Sequence, residues 1–109
     1  MTESTQGAFH IESESIAEGV VVRPIGELDI ATSDELSDAL QRALDSDAQS
    51  VVLALDGVTF IDSAGVRCVL QAVAVSQAGA DKLRVRRDHA EQVTRLFELV
   101  GAIDRLPYE

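Results

Sequence analysis

Few side chains in this 109-residue sequence are placed to do chemistry, and they gather at three points. Asp29 follows an apolar run at residues 20–25, Asp56 follows a second at residues 51–55, and Asp62-Ser63 opens a stretch of helical periodicity. When strands alternate with helices, such positions fall beyond the carboxyl ends of the strands, where ligands and reactive groups collect. Asp and Ser also cap helices, because their side-chain oxygens accept from orphan backbone N–H groups. Capping is the commoner role for a serine in the position of Ser63. The functional alternative is covalent modification. A phosphate on Ser63 would meet free N–H groups at a helix start and add about −1.5 to −2 charges beside Asp62. The local backbone tolerates that charge; an acidic or apolar partner docked there would not.

Catalytic arrangements are poorly supported. A nucleophile elbow needs Gly two residues to either side of the serine, and here Gly65 is matched by Ile61. The only histidine downstream is His89, in a segment that reads as a helix cap. An acid cluster of Asp29 and Asp56 holding Mg²⁺ would want a lysine at the end of a strand, yet the sole lysine, Lys82, stands before one. His10 and His89 share no ligand spacing with Cys68, so no metal centre is expected and Cys68 reads as a small apolar filler. No Gly-rich phosphate loop is present, which leaves no cofactor to expect. No catalytic residues are assigned, and the chain is not expected to be an enzyme.

Charge narrows the partners. Lysine and arginine number 9 against 19 aspartates and glutamates, a net charge of −10. Phosphate neutralisation supplies most of nonspecific nucleic-acid affinity, so direct binding to DNA or RNA is disfavoured, as is anionic lipid. The one basic cluster, Lys82, Arg84, Arg86 and Arg87, falls on an alternating segment where charge discourages strand-to-strand aggregation. No apolar run approaches the roughly 20 residues that span a bilayer. The polar opening Met1-Thr2-Glu3-Ser4 and the single cysteine predict a cytoplasmic protein without membrane insertion.

The elements that must position these residues follow from periodicity. Residues 1–8 read as a flexible tail and 9–109 as one domain. Residues 8–11 and 20–25 are two strands of a hairpin, with Pro24 marking an edge or bulge. A helix begins near Thr32, where Thr32 and Glu35 have capping-box spacing, and its stripe is Leu36, Ala39, Leu40, Ala43 and Leu44. The continuous apolar run at 51–55 predicts a parallel strand buried on both faces. Val66, Val69, Leu70, Val73 and Gln77 share one face of a second helix, closed by Gly79. Leu83-Arg84-Val85-Arg86 is an edge strand. Asp88 and Glu91 propose a second capping box, for a last helix with stripe Val93, Leu96, Phe97 and Val100 that ends at Gly101. The fold class is α/β: a mixed sheet of four to five strands with helices packed on it.

Against this frame, Gly57-Val58-Thr59-Phe60-Ile61-Asp62-Ser63-Ala64-Gly65-Val66 resembles the signature of the STAS domain, and more narrowly of the bacterial anti-sigma factor antagonists. Gly26-Glu27-Leu28-Asp29 with Thr32 is similar to an earlier motif of that family, and Phe97-Glu98-Leu99-Val100-Gly101 to its closing helix. The resemblance covers about residues 9–107. It implies a protein that binds an anti-sigma factor of the serine-kinase type, with a histidine-kinase-like ATPase fold, and so frees a sigma factor. It also implies that the kinase phosphorylates Ser63 to end binding and that a phosphatase reverses this. Asp29 and Asp62 match family acids beside the phosphosite, and Thr32 its helix-capping position. Two departures stand out: Ala64 replaces a common second serine, and Arg67 replaces a common glycine. Together Asp29, Thr32, Asp62, Ala64, Gly65 and Arg67 are the expected surroundings of the site. The competing expectation is a STAS-like accessory subunit of a membrane transporter or signalling assembly, with Ser63 only a cap.

Overall fold

A computed structural model describes residues 9–109; the expected tail, 1–8, lies outside the described residues. The hairpin forms, but both of its strands are longer than the apolar segments suggest. Strand β1 runs His10–Ile16 and β2 Gly19–Leu28, joined by a tight turn at Ala17 and Glu18. The polar residues Glu12 to Ser15 belong to β1 because this strand is paired on one side only, with β2. An edge strand with solvated faces needs no apolar alternation, and its acids blunt the edge.

Helix α1 (Ser33–Asp45) follows, then β3 (Ser50–Leu53), β4 (Val58–Ile61), α2 (Ser63–Ala78), β5 (Leu83–Val85), α3 (Glu91–Leu99) and a 3₁₀ turn at Ile103–Arg105. The sheet has five strands in the order β1-β2-β3-β5, with β4 paired to β2. β1 and β2 are antiparallel and every other pairing is parallel. β4 is the one strand that periodicity leaves unassigned: four residues are too few to show a period. It matters because β2 takes two partners in succession. Residues Gly19 to Val22 pair with β3, and Gly26 to Leu28 pair with β4, with a register shift between Gly26 and Glu27. Pro24 falls between the two parallel partners, where no ladder bond is required of it. Gly26 has φ +112°, which a residue with a Cβ rarely adopts, so this bulge depends on glycine.

The continuous run at 51–55 is buried on both faces of the sheet, as its composition predicts. Val51, Leu53 and Leu55 join the main core, where Leu36 and Leu40 of α1, Val69 of α2 and Phe97 of α3 meet them. Val52 and Ala54 join Val21 in a second, small cluster to which no helix contributes. By strand alternation Arg23, Arg84 and Arg86 share that face. The basic cluster is spent internally. Lys82 donates to the carbonyls of Ser46 and Ala48 at 2.9 and 2.8 Å, Arg84 pairs with Asp81, Arg86 pairs with Glu109 at 3.0 Å, and Arg87 lies 4.3 Å from the Tyr108 ring centre.

Helix boundaries agree with expectation, and their chemistry does not. Neither expected capping box forms: α1 has Thr32 at its N-cap and α3 has Ala90, and neither side chain caps. On α2 it is Ser76, not Gln77, that is buried; its hydroxyl accepts from Leu83 N–H at 2.9 Å and ties the helix to β5. Gly101, at φ +71°, closes α3 with its own N–H on the Glu98 carbonyl and that of Ala102 on Phe97, a Schellman arrangement.

Candidate functional site

The site is built where β2 and β4 end and α2 begins. The Asp62 N–H donates to the Leu28 carbonyl at 3.2 Å, so the start of α2 is stitched to the last residue of β2. Gly65 makes the approach close enough: a Cβ there would stand 2.7 Å from the Leu28 carbonyl oxygen. That is a backbone atom that cannot swing away, so the glycine of the motif serves packing.

Asp62 is the cap of α2. One carboxylate oxygen, Oδ1, accepts from the N–H groups of Ala64 and Gly65 at 2.9 and 3.1 Å. Ser63, in a position where capping is the commoner role, is instead the first residue within the helix. Ser63 is exposed, and its hydroxyl makes no hydrogen bond among the described residues. Its neighbour Ala64 is half-buried, leaving Ser63 the single hydroxyl of this turn.

Asp29 and Thr32 organise the adjoining loop. Thr32 Oγ1 donates to the Glu27 carbonyl at 2.7 Å and accepts from Asp29 N–H at 2.9 Å. Asp29 Oδ1 accepts from Ala31 N–H at 2.9 Å, and its carbonyl accepts from Thr32 and Ser33. Thr32 thus pins the end of β2 instead of capping α1, since its hydroxyl is committed backwards along the chain. The turn leaves Ile30 at its tip 80% exposed. α1 and α2 meet nearby, where Cys68 Sγ donates to the Ser33 carbonyl at 3.4 Å. Burial, with Asp34 adding to it, pushes the Cys68 thiol up to about 11, so this cysteine is a packing group and not a nucleophile.

Asp56 is not part of the constellation. It lies in the jog between β3 and β4 and pairs with Arg23. Because β4 intervenes, the chain has a further strand to run before it reaches the site. No group of three or more His, Cys, Asp or Glu side chains among the described residues is placed to hold a metal ion. No helix among them is long and apolar enough to cross a membrane.

Beside Ser63 lies an open groove of about 380 Å³, formed by Val66, Arg67, Leu70, Gln71 and Ala74 on α2 and by Val100 at the end of α3. Val100 was expected in the core stripe of α3 and is instead 47% exposed, because the helix ends there and only Val93 and Phe97 reach inward. Leu99, 75% exposed, sits off that stripe. The adjacent pair Leu99-Val100 carried a signal: two neighbouring residues on a helix cannot both face the core that Phe97 faces.

The geometry agrees with comparisons to known proteins. The model of the STAS domain matches residues 10–107, and the chain belongs to that family. No curated protein sequence matches it. Among solved structures it is similar to an anti-sigma factor antagonist from Mycobacterium paratuberculosis, with 20% identity, a TM-score of 0.81 and coverage of 97% of this chain and 89% of the other. It is likewise similar to the anti-sigma factor antagonist SpoIIAA in its unphosphorylated form, at 22% identity and TM-score 0.72 over 87% of this chain and 84% of that one. The phosphorylated form of the Bacillus cell fate determinant SpoIIAA aligns at 25% identity and TM-score 0.64, over 87% and 85% of the two chains. The five-stranded mixed sheet with three helices is the fold these proteins share.

Proposed function

We propose that this chain is an anti-sigma factor antagonist, a cytoplasmic binding switch set by phosphorylation of Ser63 during a bacterial stress response. Unphosphorylated, it docks a serine-kinase anti-sigma factor and frees a sigma factor for transcription. The kinase passes the γ-phosphoryl group of its ATP to Ser63 Oγ, the hydroxyl proton departs, and ADP is released. A phosphatase hydrolyses the ester and restores binding.

One observation carries this reading: Ser63 is an exposed hydroxyl relieved of capping by Asp62, on the rim of an apolar groove. The neutral hydroxyl costs a docked partner little. A dianion on that rim must be solvated or paired, and each ~1.4 kcal/mol of mismatch is a tenfold loss of affinity. A coupling of about 3 kcal/mol is enough for a usable switch. Ile30 and Leu99, the most exposed large apolar side chains among the described residues, supply further surface for a partner to cover.

The test is intact mass and peptide mapping of the protein from its native cells, with and without phosphatase, beside titration of the candidate kinase. Phosphate on Ser63 that rises as kinase binding falls is the expected result. Absence of phosphate under every condition, with Ser63→Ala cells behaving normally, would overturn the switch.

A further inference from the structure

Resting on the reading of Ser63 as the phosphorylated residue, we infer that Arg67 is the internal counter-ion of the phosphate. Once Ser63 is modified, the Arg67 guanidinium closes on the phosphate oxygens and is withdrawn from the docking surface.

Three observations converge on this pair. Ser63 and Arg67 stand four residues apart on α2 and line the same groove, so they are neighbours on one helix face. Arg67 is also the only charged residue in the 16 of α2. Of its neighbours on that face, Val66, Leu70 and Ala74 are apolar and Gln71 is neutral, so no other charged side chain of the helix competes for an anion there.

The third observation is the contrast with most of the other cations. Arg23, Arg84, Arg86 and Arg95 are each held by a carboxylate, Lys82 by two carbonyls and Arg87 by an aromatic ring, while Arg42 on α1 and Arg105 in the 3₁₀ turn, without a side-chain partner among the described residues, do not line this groove. Arg67 is exposed and has no carboxylate or carbonyl partner among the described residues. In a chain of net charge −10, it is the cation that lines this groove. A phosphate on Ser63 would stand next to Asp62, whose Oδ1 already holds the Ala64 and Gly65 N–H groups, and a nearby cation would offset that repulsion. A planar fork of N–H donors matches two phosphate oxygens, and an arginine stem is long enough to reach back one turn.

The pairing gives the switch a second component. In the unmodified protein Arg67 is available to a carboxylate on the partner. In the modified protein the phosphate holds the same guanidinium, so the partner loses an attraction in addition to meeting a repulsion.

The experiment installs phosphoserine at position 63 by genetic encoding, so that no kinase is needed and its result does not depend on whether cells modify Ser63. ³¹P NMR then follows the second ionisation of the phosphate, which lies near pH 6 in an unperturbed phosphoserine. Any contact of the phosphate with the backbone is common to all variants and cancels between them. With Arg67 present the titration midpoint should lie about half a unit below that of Arg67→Gln, and the difference should shrink at high salt. Arg67→Lys, which keeps the charge without the fork, should restore part of it. Equal midpoints in the parent and Arg67→Gln proteins, both folded by circular dichroism, would overturn the inference and leave the Ser63 switch standing.

Discussion

At the scale of single residues, the motif divides labour between neighbours that look interchangeable in sequence. Asp62 spends its carboxylate on two backbone N–H groups, while Ser63 spends its hydroxyl on nothing among the described residues. Asp62→Ala should therefore lower stability by about 1 kcal/mol, the usual cost of losing a cap, whereas Ser63→Ala should leave the urea midpoint within experimental error. In kinase titrations the order should invert: Ser63→Ala keeps binding under phosphorylating conditions, and Ser63→Asp weakens it only in part, since one charge on a shorter group imitates phosphate poorly. Gly65 offers a second contrast. The Cβ of Gly65→Ala would press on the Leu28 carbonyl, so denaturation should show a loss of roughly 1–3 kcal/mol, although alanine is the better helix former. Ser63 was legible as a hydroxyl at a helix start. That Asp62 holds the cap was not, because both residue types cap well and only the backbone geometry chooses between them.

At the scale of elements, periodicity located three helices and most of the strands, and it failed where a side chain had two uses open to it. Thr32 has the spacing of a capping box with Glu35 but turns back to Glu27 and Asp29, pinning the loop that presents Ile30. The segment before α3 is similar: Asp88 does not cap, and Ala90 takes that place. His89 is caught in this junction. Its Nδ1 meets the Thr94 hydroxyl at 2.8 Å, while its Nε2 is buried with no partner. Burial lowers its affinity for a proton below the ordinary value, with the Asp88 carboxylate and the Ala90 backbone opposing the shift. The unfolded chain therefore binds this proton more readily than the folded one, and stability should fall as pH drops through about 6.5 toward the lower folded-state value. Urea midpoints measured from pH 7.5 to 5 should show this decline, and His89→Gln should flatten the part of it that His89 causes.

At the scale of the whole molecule, the sheet's two faces carry different burdens. One receives all three helices and the main core; the other carries the small cluster of Val21, Val52 and Ala54. The double-sided burial of residues 51–55 was readable from their unbroken apolar composition. The pairing of β4 was not, since strand partners are set by contacts distant in sequence and four residues carry too weak a pattern. Yet this short strand divides β2 in two. The amide-bearing stretch from Gly19 to Val22 is held by β3, that from Gly26 to Leu28 by β4, and Pro24 contributes no amide proton between them. In deuterium exchange the strand should accordingly report two populations. Amides of β3 and the first half of β2 should exchange only on global opening, while those of β4 and the second half exchange together and sooner. A ligand seated at the start of α2 would slow the second group alone, so the site has a spectroscopic reporter in the backbone beneath it that needs no label and no change of residue.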